Sequence, residues 1–287
     1  MESQELKEKA RSFARRDAWR AGRIYFEEAV LREPRNADAH AHLGFFCVKE
    51  TLFDTKRGLA EFAVALDLDS SCVWAHLYRS FTFGSLQRLE AAREAIRAAE
   101  RLGARPEDLT WARACVELDA GSVDEAVAQF RRLVEMERDS TSMILLSQAH
   151  SQAGDNVQAL AWAQKASEAD AEDFRAPVYM GVYLAYLKRF AEARAELKKA
   201  EESGAGYPLL HHTLAYAARE EGKTDEAERH LREALAVDPE YVTSRKWLAD
   251  LCAASGRVPE AREHYRRALE RFPGYTEARE ALLRLGA

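Results

Sequence analysis

Proline and glycine, the residues that most often interrupt helices, are scarce in this sequence: there are seven prolines and fourteen glycines among 287 residues. No run of β-branched residues suggests a strand, and no window lacks apolar residues for long, which argues against disorder. Apolar residues instead recur at three- and four-residue spacing along almost the whole chain, which is the spacing of one helix face. The sequence therefore predicts an all-α protein.

Cysteine is also rare, and the four cysteines are too widely separated to form a CxxC element. We interpret Cys47, Cys72, Cys115 and Cys252 as small buried hydrophobic residues of a protein in a reducing compartment. The sequence contains no apolar signal segment and no membrane span. We therefore expect a cytoplasmic protein with no membrane insertion. The excess of arginine over lysine and the presence of only two asparagines favour a bacterial source.

Positive charge is not in excess: acidic residues outnumber basic ones 48 to 42, and the formal net charge is −6. Neutralising a phosphate backbone needs clustered lysine and arginine, which argues against nucleic acid as the main partner. The charge is unevenly distributed, with a basic excess in residues 1–36 and an acidic excess in residues 107–173. A solvated outer face is the more frequent explanation of such a pattern, and a charge-patterned groove is the alternative.

What the chain does contain is an internal period of 34 residues. One leucine or methionine position and two alanine positions repeat at this step, and glycine and proline mark the turns. The series are Leu146, Met180, Leu214 and Leu248; Ala159, Ala193, Ala227 and Ala261; Ala166, Ala200, Ala234 and Ala268; Gly154, Gly222 and Gly256, with Lys188 between them; and Pro239 and Pro273. Self-similarity of this kind is the signature of a helical repeat architecture.

The pattern predicts two helices and a tight turn in each repeat. Small residues such as Gly181, Ala193 and Ala227 would let the two helices approach closely, and Pro239 and Pro273 would end the second helix because proline lacks an amide hydrogen. A single repeat cannot bury its apolar stripe, so neighbouring repeats must stack.

This pattern resembles the tetratricopeptide repeat family over essentially the whole chain. The first repeat carries the family motif as Leu6, Ala10, Phe13, Gly22, Phe26, Ala29 and Pro34. The resemblance implies one domain, 1–287, that forms a right-handed α-solenoid of about eight helix-turn-helix repeats. The repeats are placed at 3–36, 37–70, 71–106, 107–139, 140–173, 174–207, 208–241 and 242–275, followed by a capping helix at 276–285. The turn around Leu52-Phe53-Asp54 departs from the motif by its extra length, and a similar excess falls near Gly84-Ser85.

In this family the first helix of each repeat lines a concave groove, and mapping the family's groove positions gives a basic N-terminal half and an aromatic C-terminal half. The predicted groove residues are Arg11, Arg15, Phe45, Arg79, Gln148, Arg175, Tyr179, Val182, Tyr186, His212, Tyr216, Arg219 and Lys246. Tyrosine, tryptophan and arginine are the residues that carry most binding energy at interfaces. The alternative is that each tyrosine only packs between successive helices, and for Trp247 packing is the favoured interpretation.

The resemblance implies a scaffold or adaptor that binds another protein or a peptide segment in the groove, without catalysis. The alternatives are a regulatory protein that senses a peptide or metabolite, and an accessory subunit of a biosynthetic or secretion complex. A carboxylate clamp for the C-terminal tail of a heat-shock chaperone is excluded, because it needs asparagines in the groove and the only two are Asn36 and Asn156.

Enzyme motifs are missing as well: there is no glycine-rich phosphate loop, no GxSxG and no HExxH. We interpret His42 and His76, which are equivalent positions of adjacent repeats, as ordinary groove histidines. Of His211 and His212, we expect one to pack and one to be exposed. The sequence therefore predicts no catalytic residue, no cofactor and no metal site.

Overall fold

The computed structural model describes residues 3–15, 18–50, 55–203 and 206–286, and within these ranges the chain forms seventeen helices and no strand. The helices are α1 (Ser3–Arg15), α2 (Trp19–Arg32), α3 (Ala37–Glu50), α4 (Thr55–Leu68), α5 (Val73–Ser85), α6 (Leu89–Arg101), α7 (Pro106–Asp119), α8 (Val123–Glu137), α9 (Ser140–Gln152), α10 (Asn156–Ala169), α11 (Arg175–Tyr186), α12 (Phe190–Glu202), α13 (Pro208–Glu220), α14 (Thr224–Val237), α15 (Val242–Ala254), α16 (Val258–Arg271) and α17 (Thr276–Arg284). The predicted all-α repeat fold is confirmed.

The first sixteen helices pair as eight helix hairpins, whose odd-numbered members we call A helices and even-numbered members B helices. By its internal contacts the chain divides into an N-terminal region, Met1–Asp173, and a C-terminal region, Phe174–Ala287. The N-terminal region holds the A helices α1 to α9, and the C-terminal region holds α11, α13 and α15. The single continuous solenoid stays a prediction.

Most hairpin turns contain one residue with positive φ. Gly154, Gly222 and Gly256 have φ angles of 81°, 76° and 75°, and Lys188 takes the same place with φ 60°. This left-handed conformation lets the amides after the A helix reach its last carbonyl groups, as in the 2.9 Å bond from the Asp155 amide to the His150 carbonyl oxygen. Glycine is common there because it lacks the Cβ that opposes this conformation.

The two turns that departed from the family motif have different outcomes. The segment Leu52-Phe53-Asp54 lies outside the described residues. Gly84 and Ser85 do not form part of a longer turn, since they lie in the last turn of α5, and only residues 86–88 separate this helix from α6. The expected excess at Gly84-Ser85 was therefore wrong.

Small residues hold the hairpins together, as the sequence predicts. A Cβ atom placed on Gly181 would lie 2.5 Å from Cγ of Leu197 and 3.3 Å from the carbonyl oxygen of Ala193, so α11 and α12 touch where glycine leaves room. Leu197 and Ala193 are both fully buried. The B helix α14 ends at Val237, two residues before Pro239, in agreement with the prediction.

The predicted capping helix is present at the end of the chain, and three of the four cysteines are buried as expected. On α17 the charged residues Glu277, Arg279, Glu280 and Arg284 are exposed, while Ala278 is buried against the last hairpin. All four cysteines are free, and Cys115 is the one that is only partly buried. Among the described residues no helix combines the length and the apolar character needed to cross a membrane.

Candidate binding surface

The A helices of the N-terminal region bring large aromatic side chains into mutual contact. The residues of this N-terminal aromatic cluster are Phe45, Trp74, Tyr78, Phe81 and Trp111. The ring of Phe45 stacks on Tyr78 with centroids 4.3 Å apart, and Phe81 stacks on Trp111 at 6.0 Å. Phe45 is only 8% exposed, because rings from the next two A helices, α5 and α7, lie against it. Phe45 and Tyr78 are therefore buried within the cluster, while Trp74, Phe81 and Trp111 are partly exposed.

Two lysines are packed onto the N-terminal aromatic cluster. The Lys7 ammonium lies 4.7 Å from the centre of the Trp74 ring and 3.2 Å from Oδ2 of Asp108. Lys49 lies 5.3 Å from the centre of the Phe81 ring. Burial lowers the pKa of Lys7, and the nearby carboxylate of Asp108 opposes this shift. Cation–π and ionic contacts therefore offset only part of the loss of hydration.

Helix α1 reaches across this face to acidic residues more than a hundred positions away. Arg11 lies 3.3 Å from Oε1 of Glu137, and Arg15 lies 3.3 Å from Oδ2 of Asp139. Together with Lys7 and Asp108, these pairs join the basic N-terminal segment to the acidic segment of residues 107–173. At these residues, the basic and acidic segments of the sequence form ion pairs with each other inside the N-terminal region.

His42 lies beneath the same cluster and is not an ordinary groove histidine. Its side chain is fully buried, with Nδ1 3.0 Å from the hydroxyl of Tyr78. Burial lowers the pKa of His42 to about 3, and the positive charge of Lys7 adds to the effect. The imidazole is therefore neutral at physiological pH.

The C-terminal region presents its aromatic residues differently. Tyr186, Tyr216 and Trp247 come from three successive A helices, and their ring centroids are 5.7 Å and 6.2 Å apart in sequence order. The side chain of Tyr186 is 49% exposed, and the other two are partly exposed. Together with Lys188 and Arg219, these three residues form what we call the aromatic–cation surface.

The two cations lie over the rings of this surface. The guanidinium of Arg219 is 3.9 Å from the centre of the Trp247 ring and 5.7 Å from that of Tyr216. The ammonium of Lys188 donates a 3.2 Å hydrogen bond to the hydroxyl of Tyr216 and pairs with Glu220. Both cations remain largely in contact with solvent. Lys188 was not among the predicted groove residues; its place at a turn where other repeats have glycine is the signal that could have identified it.

The other predicted residues of the C-terminal region lie at or beneath the edges of this surface. The hydroxyl of Tyr179 is 3.5 Å from that of Tyr207, and Lys246 pairs with Asp250 at 2.8 Å. His212 contacts Trp247 with ring centroids 4.5 Å apart and bonds to Ser244. Burial, with a smaller contribution from Arg219, lowers the pKa of His212 to about 4.

Several predicted groove residues have little surface to offer. Phe45, Arg175 and Val182 are at most 8% exposed, because neighbouring helices cover them, and we leave them out of the surface proposed below. In the N-terminal region, Arg79 is partly exposed with its guanidinium 5.3 Å from the Phe83 ring, and Gln148 is partly exposed.

Repeated helix hairpins define an all-α helical-repeat protein. A sequence profile of the tetratricopeptide repeat matches residues 82–142, 111–174 and 212–276, which together make up more than half of the chain. The chain belongs to the tetratricopeptide repeat family.

Solved structures show the same fold. A thermophilic tetratricopeptide repeat protein of Thermus thermophilus is 22% identical, with a TM-score of 0.56 over 62% of this chain and 98% of its own. A chain of the APC/C hetero-tetramer Cut9-Hcn1 is 15% identical, with a TM-score of 0.64 over 98% of this chain. The match covers 55% of that longer chain, so the present protein spans about half its length. No curated protein matches the sequence.

Proposed function

We propose that this protein is a scaffold or adaptor that acts by binding, without catalysis, and that it holds a segment of another protein on the aromatic–cation surface. Tetratricopeptide repeat proteins are generally scaffolds for protein–protein interactions. The observation that carries the proposal is the continuous row of Tyr186, Tyr216 and Trp247, with Arg219 over the last two rings.

The chemistry of this surface suits a peptide segment. Tyrosine and tryptophan offer large contact areas with few rotatable bonds, and they can donate hydrogen bonds to a peptide backbone. Contacts among the rings already restrict their rotamers, so a partner has less side-chain entropy to remove when it binds. Lys188 and Arg219 both contact the carboxylate of Glu220. Because these ion pairs are exposed to solvent and contribute little to stability, an acidic residue of the segment can replace Glu220 as their partner.

The N-terminal region is less suited to this task. Its cations Lys7 and Arg11 already contact carboxylates of their own region, and the ring of Phe45 is buried. A partner that bound there would have to replace these contacts. We therefore restrict the proposed surface to the C-terminal region, with Tyr179, His212 and Lys246 at its edges.

The test is a triple replacement of Tyr179, Tyr186 and Tyr216 by alanine in the full-length chain. Binding of a partner isolated with the wild-type protein should fall by more than ~100-fold, since central aromatic residues of an interface contribute about 2 kcal/mol or more when truncated. Helical circular dichroism should remain, because these side chains lie at or near the surface.

A matched variant in the N-terminal region, Arg79→Ala with Gln148→Ala, should leave the affinity unchanged. Full affinity in the triple variant would show that the partner binds elsewhere. Loss of affinity in the matched variant would show that the partner binds the N-terminal region.

A further inference from the structure

The hairpin of α13 and α14 carries a cluster of three potential metal ligands: His211 on α13, and His230 and Glu233 on α14. The donor atoms of the three side chains lie within 4.8 Å of one another. Oε2 of Glu233 is 2.6 Å from Nδ1 of His230 and 3.4 Å from Nδ1 of His211. One carboxylate oxygen thus lies between two imidazole nitrogens.

The geometry of this cluster follows from the hairpin. His230 and Glu233 are three residues apart on one helix, a spacing that places both side chains on the same face. The partner helix brings His211 against that face, and the rings of His211 and His230 are nearly parallel with centroids 6.3 Å apart. In a tetrahedral zinc site the ligand atoms are about 3.3 Å from one another. Small side-chain movements therefore suffice to reach that arrangement.

The surroundings of one nitrogen atom of His211 support a metal-binding role for this residue. Its Nδ1 atom is buried, and among the described residues it makes no hydrogen bond. Leaving such an atom unsatisfied is unfavourable.

Acidic and basic side chains both lie beside the cluster. Glu226 lies 3.8 Å from Nε2 of His230, and its carboxylate also pairs with Arg194 at 2.6 Å. The guanidinium of Arg229 lies 3.6 Å from Glu233 and 3.4 Å from Nε2 of His230. Its side chain is 61% exposed, so it can turn toward solvent. The side chain of Glu233 is 38% exposed, so the carboxylate of the cluster is in contact with solvent.

We propose that His211, His230 and Glu233 bind one divalent transition-metal ion of the zinc type. Two imidazoles and one carboxylate are typical zinc ligands, and a site with three protein ligands leaves one position for water or for a side chain of a partner. A metal-binding site goes beyond the scaffold function proposed above.

The next hairpin offers an internal comparison. Cys252, Glu260 and His264 also lie close together, but Glu260 is held by Arg232 at 2.6 Å and by Arg257 at 3.3 Å. The positions equivalent to His211 and Glu233, 34 residues further along, are Arg245 and Arg267. These cations disfavour a metal ion, so the proposal is confined to α13 and α14.

The experiment is isothermal titration of the metal-stripped, full-length protein with zinc chloride at pH 7.5. The wild type should bind one equivalent, and His211→Ala and Glu233→Gln should each weaken binding by more than ~10-fold, because each removes a metal ligand. His76→Ala and His264→Ala serve as matched controls and should bind like the wild type.

Two further measurements make the result decisive. Circular dichroism of each variant separates loss of a ligand from loss of the fold. The visible spectrum of the cobalt(II)-loaded protein should show the bands of four-coordinate cobalt and lose them in His211→Ala. Absence of zinc binding in the wild type, equal affinity in His211→Ala, or loss of binding in His264→Ala would each overturn the proposal.

Discussion

The two regions use the same hairpin but differ in what their A helices do with aromatic and basic side chains. In the N-terminal region the rings stack on one another, and Lys7 is buried between Trp74 and Asp108. In the C-terminal region the rings form an open row, and Lys188 lies over Tyr216 in contact with solvent. The same repeat can therefore use its A-helix face either to stabilise itself or to remain available to a partner.

The largest effect that we expect is a pH dependence from His42. The pKa of His42 is lowered to about 3 in the folded chain, so below pH 6.5 the unfolded chain takes up a proton that the folded chain does not. Stability is therefore full above pH 6.5 and falls as the pH drops toward 3, by on the order of 3 kcal/mol down to pH 4.

His42→Gln should flatten this part of the stability profile, measured by urea unfolding between pH 7.5 and 3.5. His212→Gln is the matched variant of the C-terminal region. Because the pKa of His212 is about 4, the loss of stability that it causes as the pH falls should stop near pH 4, about one pH unit above the value for His42. An unchanged slope in His42→Gln would mean that this imidazole is not held neutral by burial.

The second effect concerns the ion pairs of the two regions. Asp108→Ala should lower the free energy of unfolding by about 3 kcal/mol, because it leaves the ammonium of Lys7 buried without its carboxylate. The double variant Lys7→Met with Asp108→Leu should recover much of the loss. Denaturant unfolding measures both.

The matched change in the C-terminal region is Glu220→Ala, which removes the solvent-exposed partner of Lys188. It should leave the free energy of unfolding within the error of the measurement, since exposed ion pairs contribute little. Equal losses in Asp108→Ala and Glu220→Ala would show that the two A-helix faces do not differ as described.

The smallest effect tests what the regions share. Gly44 and Gly181 hold the same repeat position, and a Cβ on either would lie 2.5–2.8 Å from the facing B helix. Alanine at either site should cost a similar 1–2 kcal/mol, since overpacking a tight contact costs about 1–3 kcal/mol. At Gly206 a Cβ meets nothing within 4 Å, so Gly206→Ala should be neutral or slightly stabilising. Thermal unfolding would measure all three, and unequal costs at Gly44 and Gly181 would mean that the hairpins are packed differently.

The sequence predicted the fold because a repeat places the same small and large residues at the same contacts in every hairpin. Gly181, Leu197 and Pro239 could each be interpreted within one repeat, without knowledge of how distant repeats meet. The groove residues were harder to predict. Assigning them by their position along each A helix assumes that no neighbouring side chain covers that face of the helix. Trp74 and Trp111 fill that space in the N-terminal region, and their effect depends on how successive helices are arranged.

The periodic pattern also could not predict which residues of distant repeats contact each other. Lys7 and Asp108 are 101 residues apart, and no local rule pairs them. The basic excess of residues 1–36 and the acidic excess of residues 107–173 were a usable signal, since opposite charges in two segments attract. The cluster of His211 with His230 and Glu233 was missed because the histidines were compared along A helices, whereas the cluster joins an A helix to its own B helix.

Site-specific photo-crosslinking would test directly whether a partner segment binds the C-terminal aromatic–cation surface. A benzophenone-bearing phenylalanine would replace Tyr186 in one variant and Arg79 in another, with the same bound partner in both. We expect a crosslinked product from position 186 and none from position 79. Crosslinking from position 79 alone would contradict this expectation, because the partner would then lie on the face that the N-terminal region fills with its own side chains.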